Sequence, residues 1–240
     1  MKRQSDIEEL FKACDYNISA VSEQYEAARH NESIVKVMQP VIKSTLEHLR
    51  SILEYTAQDV WQSYTKKRNS PYFPYGKDQE GYLKSLKKNL PGLSVQRPDI
   101  ESVIESVQPH KTGDTWLSDL CSYTNFHKHD RLKPQVRVDS QSNTVVLGGA
   151  VGFKDCDNIT IIDSDFGGVI IGRDKPFVFS NKMKTHEIRS QLSKDANLKR
   201  YFDWVEFQFE FSVVDALTLL RVSRVKIFDY VERLKVVLDG

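Results

Sequence analysis

The sequence predicts an α+β protein: a helical half, a small antiparallel β-meander and a long C-terminal helix. Three observations lead there. Apolar residues recur at steps of three or four through most of residues 5–133. After Pro134 the period falls to two, in QVRVDS, TVVLGGAV, NITIID, GVIIG and PFVFS. A helical period then returns in ALTLLRVSRVKIFDYVERLKVVL.

From Ser5 to about Arg29, Ile7, Leu10, Phe11, Cys14, Ile18, Val21 and Tyr25 make one amphipathic helix, with Ser5 as N-cap and Glu8 completing a capping box. SIVKVMQ alternates Val35 and Val37 and is expected to be a short extended piece. Pro40 suits the first position of a second helix, where Ile42, Leu46, Leu49, Leu53, Val60 and Tyr64 form the apolar stripe. NSPYFPYG, residues 69–76, is a loop. QEGYLKSLKKNL and PDIESVIESV are two shorter helices, and Gly113 with Asp114 sets up the start of TWLSDLCSYTNFHKHDRL. The run 183–201 is polar and expected to be partly helical. VEFQFEF alternates as a strand with one buried face, and Asp215 can cap the last helix. The domain boundary is expected at 133/134, with 134–240 packed on the bundle, because no Gly/Ser linker separates the halves.

Composition narrows the function classes. A chain of 240 residues with 40% hydrophobic content can bury roughly 70% of its unfolded surface, so it needs neither disulfide nor structural metal. The 34 basic and 33 acidic residues give a net charge of +1, which excludes a global field toward nucleic acid or an anionic membrane. Any such binding must rest on a local patch. MKRQSDIEEL turns acidic before an apolar run can form, and nowhere do about 18 uncharged apolar residues occur together. A cytoplasmic chain with no membrane contact is expected. Cys14, Cys121 and Cys156 are odd in number and lack CxxC spacing, so they are read as packing residues, and no cofactor is expected.

Two motif-like stretches are turns. DFGG, at 165–168, has no partner motifs of a kinase around it, and GGAVG, at 148–152, lacks the Walker lysine and precedes a strand. The stretch LCSYTNFHKHDRLKPQ is richer, since it holds two of the six histidines. On a helix His127 points about 160° away from His129, which excludes a two-histidine metal clip. Asn125, Lys128 and His129 instead share one face. An imidazole that exchanges a proton with a ribose hydroxyl, an amide that holds ribose or phosphate, and nearby cations would suit a metal-free ribonuclease. The plainer reading makes Asn125 and His129 hydrogen-bonding residues at a helix end. Glu47, Arg50 and Glu54 pose a similar choice on the second helix. They form either a salt-bridged solvent face, or a group in which Arg50 turns across the bundle toward Asn125 and His129.

The segments EHLRSILEYTAQDVW, YFPYG, LPGL, IESVQPH and LSDLCSYTNFHKHDRL, in that order, resemble a group of bacterial helical proteins. Over about residues 40–133 that half is similar to the HEPN (higher eukaryotes and prokaryotes nucleotide-binding) superfamily. The resemblance implies an HEPN-like antiparallel bundle, a homodimer and an RNA-directed function. It points to a metal-independent ribonuclease or toxin-like component of stress or phage defence, or to a non-catalytic module that binds a protein or a nucleotide. The superfamily's motif is an arginine four to six residues before a histidine, often followed by a polar residue. Here Asn125 takes the polar place and His129 the histidine place, whereas Thr124 stands where the arginine belongs. In the ribonuclease reading His129 is the acid/base, Asn125 positions the substrate, and Arg50 or Arg131 replaces the arginine. Lys128, Arg131 and Lys133 then hold phosphates, with Lys66, Lys67, Arg68, Lys84, Lys87 and Lys88 as a possible extension. The C-terminal half is left for a partner protein.

Overall fold

The computed structural model describes residues 1–129 and 131–239, and of residues 127–129 it describes the backbone alone. The chain is α+β. Its helices are α1 (Gln4–Arg29), α2 (Gln39–Tyr64), α3 (Gln79–Asn89), α4 (Leu93–Gln96), α5 (Pro98–Glu105), α6 (Pro109–Thr112), α7 (Trp116–His129), α8 (Thr185–Arg189) and α9 (Ala216–Asp239). The strands are β1 (Gln135–Asp139), β2 (Asn143–Leu147), β3 (Val151–Lys154), β4 (Ile159–Ile161), β5 (Ser164–Phe166), β6 (Val169–Ile171), β7 (Phe177–Phe179), β8 (Leu198–Phe202) and β9 (Val205–Phe209). Among the described residues no helix is long and apolar enough to cross a membrane. The chain forms two compact units: Met1–Ser22, Met38–Pro134 and Phe209–Gly240 make a helical unit, and Glu23–Val37 with Gln135–Gln208 make a β unit. The last helix therefore belongs with α2 and α7 rather than with the strands.

In the helical unit, α9 packs on α2, α5 and α7. The stripe expected on α2 is its buried face as far as Val60: Ile42, Leu46, Leu49, Leu53 and Val60 are at most 1% exposed, while Tyr64 at the helix end is half-buried. Burying such aliphatic side chains contributes about 1.5 to 3 kcal/mol each. Tyr230 of α9 enters the same core, where its hydroxyl meets Thr56 Oγ1 at 3.1 Å and its ring lies edge-on to Phe73. Asp215 caps α9 through its side chain, which accepts from the Thr218 N–H at 2.9 Å.

Several local expectations shift. α1 begins at Gln4, so Ser5 lies inside the helix. The residue before it, Arg3, is fixed by Asp59, which accepts from both its backbone N–H and its guanidinium. Pro40 is the second helical residue of α2, behind Gln39. Asp114 bonds back to Thr112, and Thr115 stands directly before α7, its hydroxyl on Asp119. Between α1 and α2 residues 34–38 are non-helical, as expected, and the Val37 N–H goes to the Gln135 side chain at 2.8 Å.

In the β unit the strands are antiparallel where their register is resolved, but their pairing is less local than a run of hairpins. β2 lies between β3 and β8, β4 pairs with β7, β5 with β6, and β1 with β9. The run 183–201 is partly helical, as expected, through α8, but its end joins β8 (Leu198–Phe202), because β2 offers it a ladder that local periodicity cannot reveal. Val145, Leu147, Ile161, Ile171, Phe177, Phe179 and Ile188 form the core. Both glycine stretches are turns. Gly148 and Gly149 join β2 to β3 with φ of +61° and +75°, and a Cβ on Gly148 would collide with the Phe166 carbonyl. Gly167 and Gly168 close the β5–β6 hairpin. Arg137 of β1 ties the end of α1 into this unit by donating to the carbonyls of Ala28, Asn31 and Ile34.

Candidate functional site

Arg50 and Glu54 lie one turn apart on α2, Cys121 and Asn125 one turn apart on α7, and Tyr75 comes from the loop between α2 and α3. Arg50 does turn across the bundle. Its Nη1 donates to Cys121 Sγ at 2.6 Å, its Nη2 meets Glu54 Oε1 at 2.5 Å, and the guanidinium sits 5.0 Å from the Tyr75 ring centroid. Tyr75 in turn shares a side-chain hydrogen bond with Asn125. Two of the sequence-predicted residues, Arg50 and Asn125, are therefore joined through a third that was not singled out. Glu54 also accepts the Phe73 N–H at 2.6 Å, which pins the loop carrying Tyr75.

The electrostatics of this group are those of a closed node. Arg50 is only 9% exposed. Burial works against its charge, but Cys121, Glu54 and Tyr75 more than offset that, and its pKa is raised. Burial pushes the Cys121 thiol up to about 11 against the opposing pull of Arg50, so it is a protonated acceptor at neutral pH. Burial likewise raises Tyr75, with Cys121 adding to the shift. Arg50 thus stays charged and closely paired, with its terminal nitrogens held by Glu54 and Cys121.

The face of α7 divides at Thr124. That side chain is fully buried and its hydroxyl donates to the Leu120 carbonyl at 2.7 Å, so the position matched to the superfamily's arginine points into the core. Asn125 is exposed, as is Arg131. Lys133 holds its ammonium 5.0 Å from the Tyr123 ring centroid and 5.1 Å from that of Phe126. Tyr123 is fixed beneath it by stacking on Phe209 at 4.1 Å and by a 2.7 Å bond to Ser212. The backbone of α7 runs through Lys128 and His129, but the side chains of these two residues lie outside the described residues. Lys66, Lys67, Arg68, Lys84, Lys87 and Lys88 are all exposed, and Lys84 is paired with Glu80.

Sequence reasoning missed a second constellation, which lies wholly within the β unit. A cleft of about 770 Å³ is lined by Glu32, residues 139–143, Asp155, Asp157, residues 181–184, His186, Arg200 and Phe202. Its floor is polar and buried. Asn143 Oδ1 accepts from Arg200 Nε at 2.9 Å and from Asn181 Nδ2 at 3.0 Å, while Asn181 Oδ1 accepts the Cys156 N–H. Arg200, with a side chain 9% exposed, also donates to the carbonyls of Met183 and Asn181 and to the Thr185 hydroxyl. The available signal was the alternation of Leu198, Arg200 and Phe202, which puts an arginine on the inward face of a strand. Comparison of the chain with protein-family models, with curated proteins and with solved structures returns no match.

Proposed function

We propose that the helical unit is an HEPN-like bundle that binds RNA without cutting it. The observation behind this reading is the contrast on α7 and its partner. The only two arginines the sequence offers to replace the missing one are Arg50, buried and paired with Glu54, and Arg131, exposed beyond the end of the helix. A guanidinium already held at 2.5 Å by a carboxylate cannot also clamp a scissile phosphate without giving up that ion pair. Binding asks for less. Asn125, Arg131 and Lys133 supply an amide and two cations, groups that hold a phosphate backbone.

The test is fluorescence anisotropy with single-stranded RNA in EDTA across a salt series, with the RNA run on a gel afterwards. Expected are binding that falls with salt at a slope near −0.7 per phosphate contact, intact RNA, and weaker binding by Lys133→Ala and Asn125→Ala. RNA cut in a manner abolished by His129→Ala would replace this reading by the ribonuclease. Absence of salt-sensitive binding would remove RNA altogether.

A further inference from the structure

The cleft of the β unit carries four carboxylates and four basic side chains, so formal charge decides nothing about its ligand. The partners of each group do. All four carboxylates are already engaged by protein donors. Asp139 takes Arg137 at 2.6 Å, Asp155 takes the Ser142 hydroxyl and the Asn143 N–H, Asp157 takes Ser180 and Lys182, and Glu32 takes the Thr185 hydroxyl. Among the described residues, Lys184 and His186 have no ion-pair partner, and both are exposed at the rim.

Arg200 is the decisive residue. A guanidinium has five N–H donors, and the four hydrogen bonds of Arg200 end on neutral acceptors: an amide oxygen, two carbonyls and a hydroxyl. Its ion pair with Glu32 is loose, at 3.6 Å from Nη1 and beyond hydrogen-bond reach, and the same carboxylate oxygen accepts from the Thr185 hydroxyl. One N–H on Nη2 is left unassigned. Burial lowers the pKa of Arg200, and Glu32 and Asp139 only partly resist it. This is the reverse of Arg50, whose partners overcome burial. A buried cation held by neutral oxygens is stabilised by an incoming anion.

The walls narrow the class further. Phe202 is the one phenyl ring among the lining residues, and it is 5% exposed beneath Arg200 and Arg137, so it offers no face to stack a base; the only other ring is the small imidazole of His186 at the rim. Ser140, Gln141, Ser142 and the engaged carboxylates offer acceptors and donors suited to hydroxyl groups. The volume lies within the range of small-molecule sites and far above what a bare phosphate fills. We propose that the cleft binds a phosphorylated sugar, with the phosphate on Arg200 and Lys184 and the hydroxyls on the wall formed by residues 139–142.

The test uses the full chain and inorganic phosphate as the first probe, followed by phosphorus NMR line broadening, with ribose 5-phosphate and glucose 6-phosphate as competitors. Expected are saturable phosphate binding and displacement by at least one sugar phosphate at about tenfold lower concentration. Lys184→Ala, at an exposed position that does not threaten the fold, is expected to weaken both several-fold. Arg200→Lys, which keeps the charge and loses the fork, is expected to weaken both more than about tenfold. The proposal is overturned by no saturable binding at about 10 mM, an affinity too weak for recognition, or by binding that both variants leave unchanged. It is equally overturned if neither sugar phosphate outcompetes phosphate itself, since the site then takes an adventitious ion only.

Discussion

Replacing Arg50 with methionine separates a structural arginine from a functional one. The aliphatic part of the side chain is retained, so the packing against α7 changes little. What is lost is the cation facing Glu54 at 2.5 Å, and the Glu54 side chain is itself only 18% exposed. Glu54 cannot swing to water, because its other oxygen holds the Phe73 N–H at 2.6 Å and with it the loop that presents Tyr75. Breaking one side of such a pair costs about 3 to 5 kcal/mol, mostly the penalty of a bare buried charge. For a domain of roughly 150 to 250 residues each kcal/mol moves Tm by about 2 to 4 °C, so Arg50→Met is expected to melt at least about 6 °C lower. Urea unfolding followed by far-UV circular dichroism measures the change, and an unaltered m value shows that the same transition is being compared. Adding Glu54→Gln removes the bare charge, so the double variant is expected to recover more than about 1 kcal/mol relative to Arg50→Met. A loss under about 1 kcal/mol in Arg50→Met, or no recovery in the double variant, refutes the node. So does a stable Arg50→Met protein that has lost RNA binding selectively, because Arg50 would then act on the ligand.

Three further outcomes follow from the geometry. Burial raises the thiols of Cys14 and Cys121 to about 12 and about 11, so a disulfide reagent at pH 8 is expected to label one cysteine of the native chain rapidly, the partly exposed Cys156; two or more fast thiols would contradict this. Gly76→Ala would drive its Cβ into the backbone of Tyr82 and Gly81, so it is expected to cost more than about 2 kcal/mol in urea unfolding, against about 1 kcal/mol for Gly113→Ala, which has open space but a φ of +73°. Asp215→Asn, which keeps an acceptor for the Thr218 N–H, is expected to be near neutral, while Asp215→Ala costs about 1 kcal/mol; equal effects would show that the cap is not the source of the loss.

The legible parts of this fold are those that a local period encodes. The stripes of α1, α2 and α9 and the alternation of β9 appear where the sequence places them, because each element buries one face and must repeat at 3.6 or 2 residues to do so. The illegible parts depend on partners far along the chain. β8 is a strand because β2 lies beside it about fifty residues earlier. Ser5 looks like a cap until Asp59 of α2, 2.6 Å from Arg3, fixes the chain two residues earlier.

The two buried arginines show why the sites followed the same rule. Arg50 was conspicuous because Glu47 and Glu54 stand one turn away on the same helix, and the pairing with Glu54 is what neutralises it, while Glu47 faces Lys43. Arg200 was inconspicuous because nothing near it in sequence answers its charge: its acceptors come from residues 143, 181, 183 and 185, and its nearest carboxylate from residue 32. A charge that finds its counter-ion within one turn needs no ligand, and leaves a pattern in the sequence. A charge gathered into a cleft by distant neutral groups leaves no pattern, and here it keeps only a loose counter-ion, Glu32 at 3.6 Å. The physical argument therefore ranks the two sites opposite to their visibility: Arg50 belongs to the stability of the bundle, and Arg200 is where an anionic ligand would gain most.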